Sequence, residues 1–150
     1  MSTRAKAVII VISSKAVCAR LAQQGIPQGS KQRLGVKFPE WIHKNASCTL
    51  SCIRGLFDTD GCVFQDSHRI RGKTYRSMGI AFANNEPNIV NFFNSALIDL
   101  GLHPTQTSKH RIFLRRSHEI AEYFRRVGTS NLKHRRKFLA FQKSARGGVA

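Results

Sequence analysis

Two aspartates stand one residue apart at the end of an apolar segment, in the run Asp58-Thr59-Asp60-Gly61. The apolar spacing before them predicts a helix over residues 47–59, with Gly61 as the residue that ends it. Asp60 then lies at the helix end, where a neighbouring free carbonyl such as that of Thr59 would complete an oxygen-rich site for a hard divalent cation. Asp58 lies about 200° around the helix from Asp60, so we expect it to bond backbone groups rather than to act in catalysis.

A divalent cation at Asp60 suits phosphodiester hydrolysis, because the metal activates water and stabilises charge on the leaving oxygen. The overall charge points to the same class of substrate. The 150 residues include 25 Lys and Arg against 8 Asp and Glu, a net charge of +17, and such a surplus favours nucleic acid through counterion release. An ordinary helix-ending turn at Asp-Gly and a ribosome-type RNA-binding protein remain open as alternatives.

Other classes of protein fit the sequence poorly. No apolar run approaches the ~20 residues of a membrane span, and no helix pairs a basic face with a clean apolar one. We therefore expect no membrane partner and an intracellular, cytoplasmic location. The four cysteines lack a zinc-finger spacing, so we expect reduced, buried thiols at Cys18, Cys48, Cys52 and Cys62.

The hydrophobic periodicity predicts an α+β protein. Residues 1–45 form an N-terminal strand-helix extension that packs on a core domain over residues 46–150. The strand predicted for Lys73 to Ala83 alternates, with Met78, Ile80 and Phe82 on one face. The predicted elements are a strand at 8–12, a helix at 15–24, a helical turn at 38–42, a helix at 47–59, strands at 62–69 and 73–83, a helix at 88–100, strands at 105–108 and 111–115, and helices at 119–127 and from about 132.

The run Ile53 to Gly61 resembles the signature of the LAGLIDADG homing endonucleases, with Gly at the third position, two apolar residues after it and then Asp-x-Asp-Gly. The segments Phe38–Ile42 and Gly128–Lys133 are also similar to recurring segments of archaeal and intein-type members. The resemblance covers residues 38–141 well and residues 8–37 more loosely. It implies the αββαββα homing-endonuclease fold, in which an antiparallel DNA-binding saddle sheet is backed by helices.

The resemblance also implies an activity. A site-specific, Mg²⁺-dependent enzyme of this type would make a double-strand break in a long, near-palindromic site in double-stranded DNA, and would be associated with an intron or an intein. Because one motif supplies half an active site, we expect a homodimer. The small pair Gly55 and Thr59 allows close helix approach, and the predicted interface also includes Cys52 and Leu56. A chain that is the remnant of a double-motif protein, a nicking enzyme, an RNA-splicing maturase that binds its own intron RNA and a non-cleaving DNA-binding protein stay open.

Further site residues follow from the resemblance alone. Family members place a basic or polar residue near the cleavage centre, which falls near Asn84 or Asn85 here, and we take Asn85 as the catalytic candidate. Lys133 and Arg135 match another basic position and are candidates for catalysis or for phosphate contacts. The DNA-binding candidates on the strands are Phe64, His68, Arg69, Arg71, Tyr75, Arg76, Ser77, Arg111 and Arg115.

Overall fold

The computed structural model describes residues 13–26 and 35–146, with side chains up to residue 144. The strand expected at Val8–Ile12 lies outside the described residues. From the third helix onward the element order is the one that the sequence predicts. The elements are α1 (Lys15–Gln23), α2 (Glu40–Lys44), α3 (Ala46–Asp60), β1 (Gly61–Ile70), β2 (Lys73–Ala83), α4 (Pro87–Asp99), β3 (Thr105–Ser108), β4 (Arg111–Leu114), α5 (Ser117–Arg126) and α6 (Leu132–Arg146).

The four strands form one antiparallel sheet in the order β1-β2-β4-β3. Its register pairs Val63 with Ile80 and Ile80 with Leu114. One face of the sheet is apolar and packs against the helices, and six core residues on it, among them the predicted Met78, Ile80 and Phe82, are all buried. They are Val63, Met78, Ile80, Phe82, Ile112 and Leu114.

The core lies between this face and the helices α3, α4 and α5. Phe82 of β2 stacks on Phe93 of α4 with ring centroids 4.1 Å apart, and Phe57 of α3 meets Tyr123 of α5 edge-on at 5.1 Å. These aromatic side chains are among the largest that the fold buries completely. Together they fix α3, whose last residue is Asp60, against the start of β1.

Two local features differ from what the sequence suggests. Asn45 caps α3 in place of a residue near position 47, because its extended backbone lets its side chain accept a hydrogen bond from the Cys48 amide at 3.2 Å. A large aromatic side chain such as Trp41 favours burial, but it is 42% exposed, and its indole donates to the Gln24 carbonyl at 2.9 Å. Ile42 beside it is buried. Helix α2 therefore contacts the core through Ile42 and the end of α1 through Trp41.

The cysteines are free thiols, as expected, but they are not buried. Cys62 is exposed and the other three are half-buried, because each lies on an outward or flanking side of its element. Among the residues that the structure describes, no helix is long and apolar enough to cross a membrane.

Candidate functional site

Asp60 lies at the rim of an open cleft of about 530 Å³ at one end of the sheet. Its Oδ2 accepts a hydrogen bond of 2.8 Å from the side-chain amide of Asn84, at the residue that follows β2. The Asn84 side-chain oxygen accepts in turn from the Glu86 amide at 2.8 Å. The cleft is lined by Asp60, Ala83, Asn84, Asn85, Thr107, Ser108, His110 and Arg111.

Asn84 is held from two sides. Its backbone amide donates to the His110 carbonyl at 3.1 Å, and the His110 Nδ1 lies 3.2 Å from the Asn84 carbonyl. These contacts join the end of β2 to the turn between β3 and β4, so the Asn84 amide is fixed before any ligand arrives. Of the two asparagines that the sequence offered, Asn84 makes the bond to Asp60, whereas Asn85 is an exposed residue in the cleft wall.

Gly61 allows the tight passage from α3 into β1. A Cβ atom at this position would lie 2.2 Å from the Phe57 ring and 2.3 Å from the Phe57 carbonyl oxygen. Because only glycine fits there, Phe57 can fill the core directly beneath the strand start. The consequence is that Asp60 stands on an exposed corner between a buried ring and the cleft.

Asp58 performs the structural role that the sequence predicted. Its carboxylate accepts hydrogen bonds from the Thr129 hydroxyl and from the backbone amides of Ser130, at 2.9 Å, and Asn131, at 3.3 Å. The Asn131 side chain donates back to the Asp58 carbonyl at 2.9 Å. Burial opposes ionisation, yet the hydrogen bonds hold the pKa of the Asp58 carboxyl below its ordinary value. Asp58 thus joins the end of α3 to the start of α6.

Lys133 and Arg135 are exposed on the first turns of α6 and are not among the residues that line the cleft. The residue between them, His134, is buried against Phe57 with ring centroids 4.9 Å apart. Burial lowers the pKa of His134. Sequence reasoning missed Lys137, whose ammonium donates to the Val63 carbonyl at 2.8 Å. Its position one helical turn after Lys133 is the signal that could have found it.

The donor groups near Asp60 suit half of a metal site. Among the described residues, Asp60 is the only carboxylate in the cleft wall, and no three His, Cys, Asp or Glu side chains come together. The Thr59 hydroxyl donates to the carbonyls of Leu56 at 3.0 Å and Gly55 at 3.3 Å, so its proton is engaged within α3. An exposed carboxylate with oxygen neighbours fits a hard cation, provided that phosphate or a second chain supplies further oxygens.

The predicted dimer face of α3 divides into two parts. Gly55 and Thr59 are exposed, whereas Cys52 and Leu56 are half-buried against the core. Beyond the neighbouring residues and backbone of α3 itself, no atom of the described residues lies within 4 Å of a Cβ placed on Gly55. A glycine inside a helix costs about 1 kcal/mol relative to alanine, and no contact among the described residues requires a glycine at that position.

The predicted DNA-binding residues also divide, because side chains alternate along each strand. Arg69 and Arg76 share the side of β1 and β2 on which Met78 packs, so they do not belong to the open face. Arg71 lies in the turn at the hairpin tip with φ of 49°. The open face, opposite the helices, carries Phe64, His68, Tyr75, Ser77, Arg111 and Arg115. At its far end the rings of His68 and Tyr75 stack 6.0 Å apart.

Comparison with known proteins agrees with this arrangement. A family model described as the LAGLIDADG-like domain matches residues 47–140, more than half of the chain. No curated protein matches the chain significantly. The family comprises homing endonuclease and maturase-type proteins, which are usually nucleases, generally use a divalent metal, bind DNA and often dimerise. The α+β order, the four-stranded antiparallel sheet and the Asp60 motif are all present, and the chain belongs to the LAGLIDADG-like family.

Proposed function

We propose that this protein is a site-specific homing endonuclease that cuts both strands of intracellular duplex DNA as a homodimer, in association with an intron or intein. The observation that carries the proposal is the position of Asp60. Its carboxylate is held by Asn84 at the rim of an open cleft, next to an open sheet face in a chain of net charge +17.

The residues around the cleft have separable roles in this proposal. Asp60 and the Thr59 carbonyl would hold Mg²⁺, and the chemistry that the bound metal supplies is activation of water and stabilisation of charge on the leaving oxygen. Asn84 engages Asp60 through Oδ2, which leaves Oδ1 to face the cleft. Arg111, in the cleft wall, would draw a phosphate towards Asp60. Lys133 and Arg135 are assigned to phosphate contacts.

We infer the homodimer because the chain has one Asp60 motif, which supplies half of an active site. One carboxylate cannot serve two strands, and a second copy related by a two-fold axis would supply the second centre and a second saddle. Gly55 supports this geometry because its open side lets a partner helix approach closely. Two related saddles favour a near-palindromic target of about two helical turns.

A maturase or a non-cleaving DNA-binding protein is the second candidate. The observation in its favour is the make-up of the cleft wall, where two asparagines adjoin Asp60 and the basic candidates Lys133 and Arg135 are absent. Such a protein would use the same open face to bind DNA or its own intron RNA without hydrolysis.

The test is incubation of a randomised duplex library with Mg²⁺, followed by sequencing of cut and bound fractions. We expect the wild-type protein to cut a restricted set of sites on both strands, and Asp60→Asn to bind the same sites without cutting them. Asp99→Asn, an exposed aspartate at the end of α4, is the matched control and should cut normally. Equal cleavage by Asp60→Asn would overturn the assignment, and binding without any wild-type cleavage would establish the second candidate.

A further inference from the structure

A charged side chain sits on an aromatic floor in the middle of the open sheet face. The Arg115 guanidinium lies 4.9 Å from the centroid of the Phe113 ring and 5.5 Å from that of Phe64. Its Nη1 is 3.5 Å from Oδ2 of Asp66. The two rings meet edge-on at 6.1 Å, so the guanidinium is bounded by two aromatic faces and one carboxylate.

The floor is built into the sheet. The register pairs Phe64 with Gly79, and a Cβ on Gly79 would lie 2.2 Å from the Phe64 ring. The ring therefore lies flat over β2 and reaches towards Phe113 on β4. Arg115 follows Phe113 by two residues and so points to the same face.

The ion pair remains accessible, since the Arg115 and Asp66 side chains are 58% and 59% exposed. Within the described strands, Asp66 is the only carboxylate on the open face. A carboxylate beside an arginine weakens its attraction for a phosphate, because it cancels the charge that a backbone contact uses. Together with the two rings, it restricts the orientation of the guanidinium, which favours recognition of a base edge by the planar fork.

We propose that Arg115 specifies a guanine in each half of the DNA target, with Asp66 as a positioning residue. This inference rests on the proposed function. Guanine presents two acceptors, O6 and N7, in the major groove, and arginine matches both. Arg115 lies beside Phe64 in the sheet. Phe64 is three residues after Gly61 on β1, a distance of about 10 Å along the strand at ~3.3 Å per residue. At about 3.4 Å per base pair, the guanine lies about three base pairs outward from the cleavage centre.

The experiment is selection of bound duplexes from the same library, so that the readout does not depend on cleavage. Wild type should prefer guanine at one position per half-site by about tenfold or more. Arg115→Lys keeps the charge but loses the planar fork, so the preference should fall to about twofold or less while other positions and the salt dependence of binding stay unchanged. Asp66→Asn should also relax this one position while tightening binding overall. Arg125→Lys, on the outer side of α5 beside Glu122, should leave the profile unaltered.

The outcomes separate the alternatives. If Arg115→Lys or Asp66→Asn leaves the guanine preference intact, or if wild type shows none, the inference is overturned. If Arg115→Ala weakens all sites evenly and lowers the salt slope by about one, Arg115 is a phosphate contact. A wild-type protein that selects no duplex at all overturns the proposed function instead. Melting temperatures of all variants, expected to be unchanged because these side chains are exposed, check that each protein is folded.

Discussion

The bond network of Asp58 makes a quantitative prediction about stability. Asp58→Ala removes the acceptor for the Thr129 hydroxyl and for the amides of Ser130 and Asn131 at the start of α6. Loss of the charge-assisted hydrogen bond from the exposed Ser130 amide costs about 1 kcal/mol. The half-buried donors on Thr129 and Asn131 lose a charged acceptor, for about 0.5–1 kcal/mol each after water replaces part of the interaction. We therefore expect a loss of about 2–3 kcal/mol in the free energy of unfolding.

Thermal unfolding followed by circular dichroism at a fixed protein concentration measures this loss. At about 4 °C per kcal/mol for a chain of this size, the melting temperature should fall by about 8–12 °C. Asp58→Asn keeps one acceptor oxygen for these donors, so its melting temperature should fall by less than half as much as that of Asp58→Ala.

The matched control is Asp99→Ala, which removes an exposed aspartate from the end of α4. A carboxylate at a helix C-terminus is unfavourable, so its removal should leave the melting temperature unchanged or slightly higher. If Asp58→Ala melts at the same temperature as Asp99→Ala, the join between α3 and α6 contributes nothing and the reasoning fails.

Three further predictions concern two glycines and one histidine. Gly61→Ala should lower the free energy of unfolding by about 2 kcal/mol or more through the Phe57 clash, whereas Gly55→Leu should keep the monomer's stability and abolish dimerisation and cleavage. Denaturant melts measure the free energy of unfolding, and sedimentation measures dimerisation. A fully active Gly55→Leu dimer would contradict the proposed interface. His134 has a lowered pKa in the folded state, so the unfolded chain takes up the proton first and stability falls as the pH drops below about 6.5. The difference in free energy of unfolding between wild type and His134→Gln should become smaller as the pH is lowered from 7.5 to 5.5. A difference that does not change with pH would contradict the lowered pKa.

Local patterns in the sequence were enough to predict the helix that ends at Asp60 and the side of the sheet that faces the helices. Strand alternation also predicts the side of the sheet on which Arg76 lies, because Arg76 is two residues before the buried Met78 on the same strand. Sequence patterns do not show which of Asn84 and Asn85 bonds Asp60, because this depends on the contact of Asn84 with His110, 26 residues away. The positions of Lys133 and Arg135 relative to the cleft also depend on distant contacts, because the hydrogen bonds to Asp58 set where α6 lies.

The bond from Lys137 to the Val63 carbonyl also bears on self-association. β1 is an edge strand of the sheet, and the open backbone groups of an edge can recruit strands from other molecules. Lys137 occupies one such carbonyl beside the Asp60 motif. The far half of the strand, residues 67–70, is exposed and includes His68 and Arg69. Edge-to-edge aggregation is thus opposed by a covering helix near the motif and by charge at the hairpin tip.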